Sequence, residues 1–157
     1  MPVLHADLAN PDHQAAIIDL LDMYSRDEFG ASQPLSDEAR KELIPGLVNH
    51  GASRVFLAYD DARPVGLAIC FVGFSSFRAK PLLNIHDIAV RPETRGQGIG
   101  RQLLHAVAED ARALGCCKLT LEVRADNLRA QALYKDVGFQ PTDPGTWFWT
   151  QTLDQQH

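Results

Sequence analysis

The stretch Val90–Leu104, VRPETRGQGIGRQLL, sets glycine at every second position, Gly96, Gly98 and Gly100, between Arg95 and Arg101. A glycine weakens the element it interrupts by roughly 0.5–1 kcal/mol relative to alanine. Three so close together imply a backbone that must come near something. A strand, a glycine loop and a helix in succession present bare N–H groups at the positive end of a helix dipole, which suits an anion. Arg95 or Arg101 can add charge-assisted bonds. The fitting guest is a phosphate or pyrophosphate; the plain alternative is a tight turn without a ligand. No Gly-Lys-Ser/Thr follows, which excludes a Walker-type loop. The dinucleotide pattern G-x-G-x-x-G would need glycine at position 101 or 103, where Arg101 and Leu103 stand.

Other residues with chemical capacity flank this loop. His86 and Asp87 lie just upstream, in LLNIHDIAV, and a histidine can accept a proton near neutral pH. Strict alternation puts Asn84, His86, Ile88 and Val90 on one strand face and Ile85, Asp87 and Ala89 on the other; a bulge would alter that phase. Downstream, LTLEVRADNLRAQALYKDVGF (Leu119–Phe139) contains Asn127, Tyr134 and Gly138-Phe139. Asn127 suits an N-cap, and Tyr134 suits either an amphipathic core position or a proton donor. In residues 1–30, Asp7, Asp12, Asp19, Asp22, Asp27 and Glu28 face a single basic residue, Arg26.

The elements that must position these groups follow from periodicity. Pro2–Leu8 is predicted as a first strand. Asn10 and Pro11 open a helix whose Ile17, Leu20, Leu21 and Tyr24 recur at helical spacing. Ser36 caps a second helix, expected to end at Pro45 and Gly46. RVFLAYD (Arg54–Asp60) and PVGLAICFVGF (Pro64–Phe74) read as a hairpin, and Leu82–Val90 as a third long strand. A helix from about Gly98 to Leu114 leads to Gly115 as its C′ residue. Cys117–Val123 is a predicted strand, a short helix follows Asn127, and TWFWTQTL (Thr146–Leu153) is expected to close as a strand. Strands on either side of the long helix should be parallel, joined by a right-handed crossover. The result is one α/β (α+β) domain over residues 1–157.

The pattern Arg/Gln-x-x-Gly-x-Gly/Ala, met by Arg95, Gly98 and Gly100, resembles the loop of the GNAT superfamily of N-acetyltransferases. The later Asn127, Tyr134 and Gly138-Phe139 stand in the family's order, and the sequence resembles the small-amine, diamine-type branch. The resemblance implies the acyl-CoA N-acyltransferase fold, a mixed, mostly antiparallel sheet with helices on both faces. It implies acetyl-CoA as co-substrate, held by Arg95, Gly96, Gln97, Gly98, Ile99, Gly100 and Arg101 at the pyrophosphate. The backbone of Ile88, Ala89 and Val90, with Asn127, would meet the pantetheine arm. Tyr134 would protonate or hydrogen-bond the departing thiolate. His86 is the candidate base and Asp87 the second candidate; the plain alternatives are a strand histidine satisfied by a carbonyl and a structural carboxylate. Asp27, Glu28 and Asp87 would meet a cationic acceptor, or Asp27 and Glu28 belong to a solvated acidic face. The implied activity is acetyl transfer to a small-molecule amine, with a protein acceptor or a non-catalytic acyl-CoA-binding module as alternatives. Family members commonly pair, so a homodimer is expected, with Trp147-Phe148-Trp149 at its interface or in the core.

Composition narrows the remaining classes. The net charge of −5 argues against nucleic acid as main partner. Three cysteines, two of them adjacent as Cys116-Cys117, suit neither a disulfide framework nor a Cys-x-x-Cys metal site. None of the six histidines has chelate spacing, so no metal is expected. The longest apolar run, Val65–Phe74, is about half a bilayer span, and no secretion signal is evident at the N-terminus. The expected setting is the cytoplasm, away from membranes.

Overall fold

Asn10 opens helix α1 (Pro11–Arg26) by accepting the Asp12 N–H on its side chain at 2.9 Å, with proline in the first turn. In this computed structural model, which describes residues 2–154, α1 follows a short strand β1 (Val3–His5) and buries Ala16, Ile17 and Leu20. Helix α2 (Asp37–His50) is capped by Ser36, whose hydroxyl accepts the Ala39 N–H at 3.1 Å. It does not end at Pro45 and Gly46, as the sequence suggested, but runs on to a left-handed cap at Gly51. Pro45 and Gly46 are exposed while Ile44 and Leu47 are buried on either side of them. Packing therefore overrides propensity, because the hydrogen bond a proline forfeits lies where water can replace it.

Strands β2 (Ser53–Asp60) and β3 (Arg63–Ser75) form the expected hairpin around Asp61 and Ala62. β4 (Lys80–Val90) pairs antiparallel with β3. A single 3₁₀ turn (Pro92–Thr94) and the glycine loop then lead into α3 (Ile99–Ala113). Leu114 and the left-handed Gly115 close that helix. Strand β5 (Leu119–Leu121) returns parallel to β4, and Asn127 caps α4 (Leu128–Asp136) by accepting the Ala130 N–H at 3.2 Å. The sheet order is β1-β2-β3-β4-β5, antiparallel except for the last pair.

One side of the sheet packs Val55, Leu57, Leu67 and Ile69 against α1 and α2. The other packs Phe56, Ala58, Ala68 and Leu83 against Ile99, Leu103 and Val107 of α3, with Tyr134 of α4 beside them. Helices on both faces of a mixed, mostly antiparallel sheet are what the motifs implied. Gly66 lets α3 lie close: a Cβ there would stand 3.0 Å from both Ile99 Cγ2 and Leu103 Cδ1. Among the described residues no helix is long and apolar enough to cross a membrane.

Three further expectations differ from the structure. The first strand covers Val3–His5 rather than Pro2–Leu8. The β5 ladder covers three residues rather than Cys117–Val123. Thr146–Leu153 forms no strand, and Trp147, Phe148 and Trp149 are 77%, 81% and 81% exposed. A strand exists only through a neighbour's hydrogen bonds, and nothing in the described chain lies alongside this segment to supply them.

Candidate functional site

The site begins where two strands part. β5 pairs with β4 only from Leu83 to Ile85, whereas β4 continues to Val90. From His86 onward, one edge of β4 has no ladder partner among the described residues. The parting coincides with a bulge: Ile69 lies opposite Asp87 and Cys70 opposite Ile85, so His86 is the extra residue. A bulge bends and re-aims its strand. It also reverses the side-chain phase: Leu83 and Ile85 belong to the α3-side core, and beyond the bulge Ile88 and Val90 pack against that same core. The uninterrupted alternation read from the sequence, with His86, Ile88 and Val90 on one face, is therefore corrected here.

The opening leads into a cleft of about 1130 Å³ between the end of α1, β4, the glycine loop and α4. Ile88, Ala89 and Val90 line it, as do Gly96, Gly98, Gly100 and the Ile99 backbone region. Gly96 and Gly98 take φ of 80° and 82°, left-handed conformations that cost other L-residues about 1–2 kcal/mol. Gly100 is small for a different reason: a Cβ there would stand 3.0 Å from Leu133 Cδ2 of α4. So two of the glycines shape the turn, and the third admits the neighbouring helix. Gly98 caps α3 without any side-chain hydrogen bond, which leaves the first-turn N–H groups of α3 turned outward and unsatisfied by the helix itself. Gln97 is exposed and outside the cleft lining, and the Ile99 side chain is 1% exposed in the core, so their backbones are what they can offer.

Arg95 Nη2 lies 3.4 Å from Asp27 Oδ2, and Arg101 pairs with Asp136. Asp27 Oδ1 also accepts the Phe29 N–H at 2.9 Å, so this carboxylate shapes the turn after α1 and ties it to the glycine loop. Glu28 is exposed, its side chain outside the cleft lining, while its carbonyl lies 3.5 Å from Arg124 Nη1. Asp22 is held well below the usual carboxylate range, first by the Leu35 N–H, with Arg26 and Arg40 adding to the effect. Asp19 pairs with Arg91. Asp19, Asp22 and Asp27 are thus answered by arginines, whereas Asp7, Asp12 and Glu28 have no arginine ion pair among the described residues.

Tyr134 is 9% exposed, lines the cleft, and its hydroxyl has no hydrogen-bond partner among the described residues. Burial, with a contribution from nearby Tyr24, pushes its pKa up to about 12. Tyr24 is itself raised, by burial first and then by the Asp87 and Asp27 carboxylates, and its hydroxyl donates to the Phe29 carbonyl at 3.4 Å. His86 is exposed at the cleft, its Nδ1 3.3 Å from Asp87 Oδ2 and its ring edge-on to Phe71 at 5.7 Å. Asp87 is half-buried beside Tyr24 rather than in the cleft wall. Asn127 lines the cleft while capping α4.

Among the lining residues that sequence reasoning did not single out are Tyr24 and Glu122. Tyr24 looks like the end of an apolar helical stripe, and only the fold brings it opposite Tyr134. Glu122 sits just past β5 with no partner among the described residues, yet in LTLEV it reads as the polar phase of a strand. Among the described residues no group of three metal-capable side chains converges.

Residues 17–139 match the family model described as Acetyltransferase (GNAT) family. The chain belongs to that family. Over 76 residues it is 41% identical to a thialysine N-epsilon-acetyltransferase of Bos taurus, a match covering 48% of this chain and 44% of the relative. Over 84 residues it is 40% identical to the N-alpha-acetyltransferase RimI of Mycobacterium tuberculosis, covering 52% and 51%. The chain thus spans about half the length of these curated relatives. AAC(6')-Iy, solved with the bisubstrate analog CoA-S-monomethyl-acetylneamine, superposes with a TM-score of 0.76 at 18% identity, covering 96% of this GNAT chain and 98% of that one. At such identity the likeness is one of fold.

Proposed function

We propose that this GNAT protein is an acetyl-CoA-dependent N-acetyltransferase that acetylates a primary amine of a small molecule by direct attack in a ternary complex. The observation that carries the reading is the parting of β4 from β5, which runs from the glycine loop to Tyr134 with one strand edge unpaired. Coenzyme A fits that shape. Left-handed glycines and the unsatisfied N–H groups opening α3 suit its diphosphate. The free edge of Ile88–Val90 suits the amides of its pantetheine arm, as an added strand would. The bound thioester supplies the acetyl group.

The chain's own residues do the rest. A lysine-like amine near pKa 10.4 is neutral in about one molecule in a thousand at pH 7.4, a deficit of about 4 kcal/mol. His86, raised by the bulge to the point where the strands part, takes that proton, directly or through water, with Asp87 orienting its ring. Free N–H groups of the β4 edge stand ready for the carbonyl oxygen as it gains charge. Tyr134, with its pKa pushed up to about 12, donates a hydrogen bond to the leaving sulfur. Complete proton transfer from it to a thiolate of conjugate pKa about 8.5 would cost about 5 kcal/mol. In this reading Asp27 and Glu28 border the acceptor entrance, and the protein works as a cytoplasmic homodimer.

A peptide N-terminus is the second reading, favoured by the similarity to RimI and by the exposure of His86 at the cleft. The two differ in what they ask of a base, because an α-amine near pKa 7.7–8.0 needs little deprotonation. The test is thiol release from acetyl-CoA across polyamines, lysine analogues, aminoglycosides and peptides, in wild type and His86→Ala. Turnover on a small ε- or primary amine, reduced roughly a hundredfold in the variant, supports the first reading. Turnover confined to peptide α-amines supports the second. Absence of coenzyme binding removes both.

A further inference from the structure

Five arginines line the cleft, and four of them are held by carboxylates: Arg26 by Asp22, Arg95 by Asp27, Arg101 by Asp136 and Arg124 by Asp126. Arg129, on the first turn of α4, has no ion-pair or hydrogen-bond partner among the described residues. Its direction follows from the helix. Arg129, Leu133 and Asp136 recur at i, i+4 and i+7 and so share one stripe. Leu133 abuts Gly100, and Asp136 binds Arg101. That stripe therefore faces the start of α3, and Arg129 stands one turn beyond the Leu133 contact, about 6 Å along the axis.

We infer that Arg129 binds the 3′-phosphate of coenzyme A and makes the protein discriminate the coenzyme from its 3′-dephospho form. The inference rests on the coenzyme reading of the cleft. The diphosphate has the glycine-loop N–H groups and the α3 dipole to meet its charge. The 3′-phosphate is a separate monoester carrying about −1.5 to −2 at neutral pH, by analogy with phosphorylated side chains. It needs a cation of its own beside that loop, and a guanidinium can bind two of its oxygens at once. Arg95 and Arg101 would each have to leave a carboxylate to serve. Arg129 is uncommitted.

The test is isothermal titration of the full chain with coenzyme A and with 3′-dephospho-coenzyme A. Wild type should bind the former about tenfold more tightly, a partly solvated charge-assisted pair being worth about 1.4 kcal/mol. Arg129→Gln should erase that ratio, and Arg129→Lys should restore part of it. The wild-type ratio should also shrink at 0.5 M salt, as expected of an exposed pair. Equal binding of the two ligands by wild type overturns the inference, as does equal weakening of both in Arg129→Gln, which would assign Arg129 to the diphosphate. Failure of wild type to bind either ligand would overturn the coenzyme reading beneath it.

Discussion

Tyr134 shows how a candidate side chain can be picked out in sequence while its surroundings cannot. Its place four residues before Gly138-Phe139 marked it, but whether it would serve the proposed reaction as acid or as hydrogen-bond donor depends on burial that only the fold supplies. At 9% exposure and a pKa pushed up to about 12, the phenol stays protonated at neutral and mildly alkaline pH. Tyr134→Phe is expected to lower kcat by about a hundredfold, the low end for a positioned proton donor. Wild type and variant should nonetheless keep the same profile shape up to pH 10, because no ionisation of Tyr134 falls in that window. A limb near pH 8–9 present in wild type and missing in the variant would contradict the assignment. The measurement is kcat against pH for both proteins.

Elements hold these residues through a few cross-links that no periodicity announces. Arg54 of β2 grips Asp110 of α3 through Nε at 2.8 Å and Nη2 at 2.5 Å, and His5 of β1 approaches the same carboxylate at 3.7 Å. The Arg54 hydrogen bonds hold Asp110 below the usual carboxylate range, against the opposing effect of burial. A group whose pKa is depressed on folding stabilises the fold above its unfolded value, near 3.9, and loses that contribution as pH falls through the lowered folded value. Asp110→Asn should therefore cost about 1–3 kcal/mol in urea unfolding at pH 5 to 8. The gap to wild type should narrow below about pH 4; a gap that stays constant to pH 3 would show that packing, not charge, anchors α3. Helix caps at Asn10, Ser36 and Asn127 were readable because capping is local chemistry, as was the β2–β3 hairpin. The bulge at His86 was not, since it exists only in the register between β3 and β4. Nor was α2's passage through Pro45, which depends on which side of the helix meets water.

Across the whole molecule the sheet ends at β5, a three-residue edge strand, and the chain beyond α4 leaves Trp147, Phe148, Trp149 and Leu153 exposed. Trp147, Phe148 and Trp149 are each at least 77% exposed, and the two indoles lie 6.5 Å apart. The alternation of TWFWTQTL reads as a strand but cannot name a neighbour, and among the described residues none lies alongside it. Under the proposed homodimer these rings are what a second copy covers. Buried aromatics contribute about 150–250 Å² each, so three per protomer bring the total to about 1,200 Å², the lower bound for a stable interface. Sedimentation should then show a dimer that dissociates on dilution, and replacing all three with serine should leave a monomer. None of the three lines the cleft, so that monomer should still bind coenzyme A. A wild type monomeric at every concentration would sink the dimer. If the triple variant also unfolds more readily than such a monomeric wild type, the segment's partner would instead be this chain's own β5 edge.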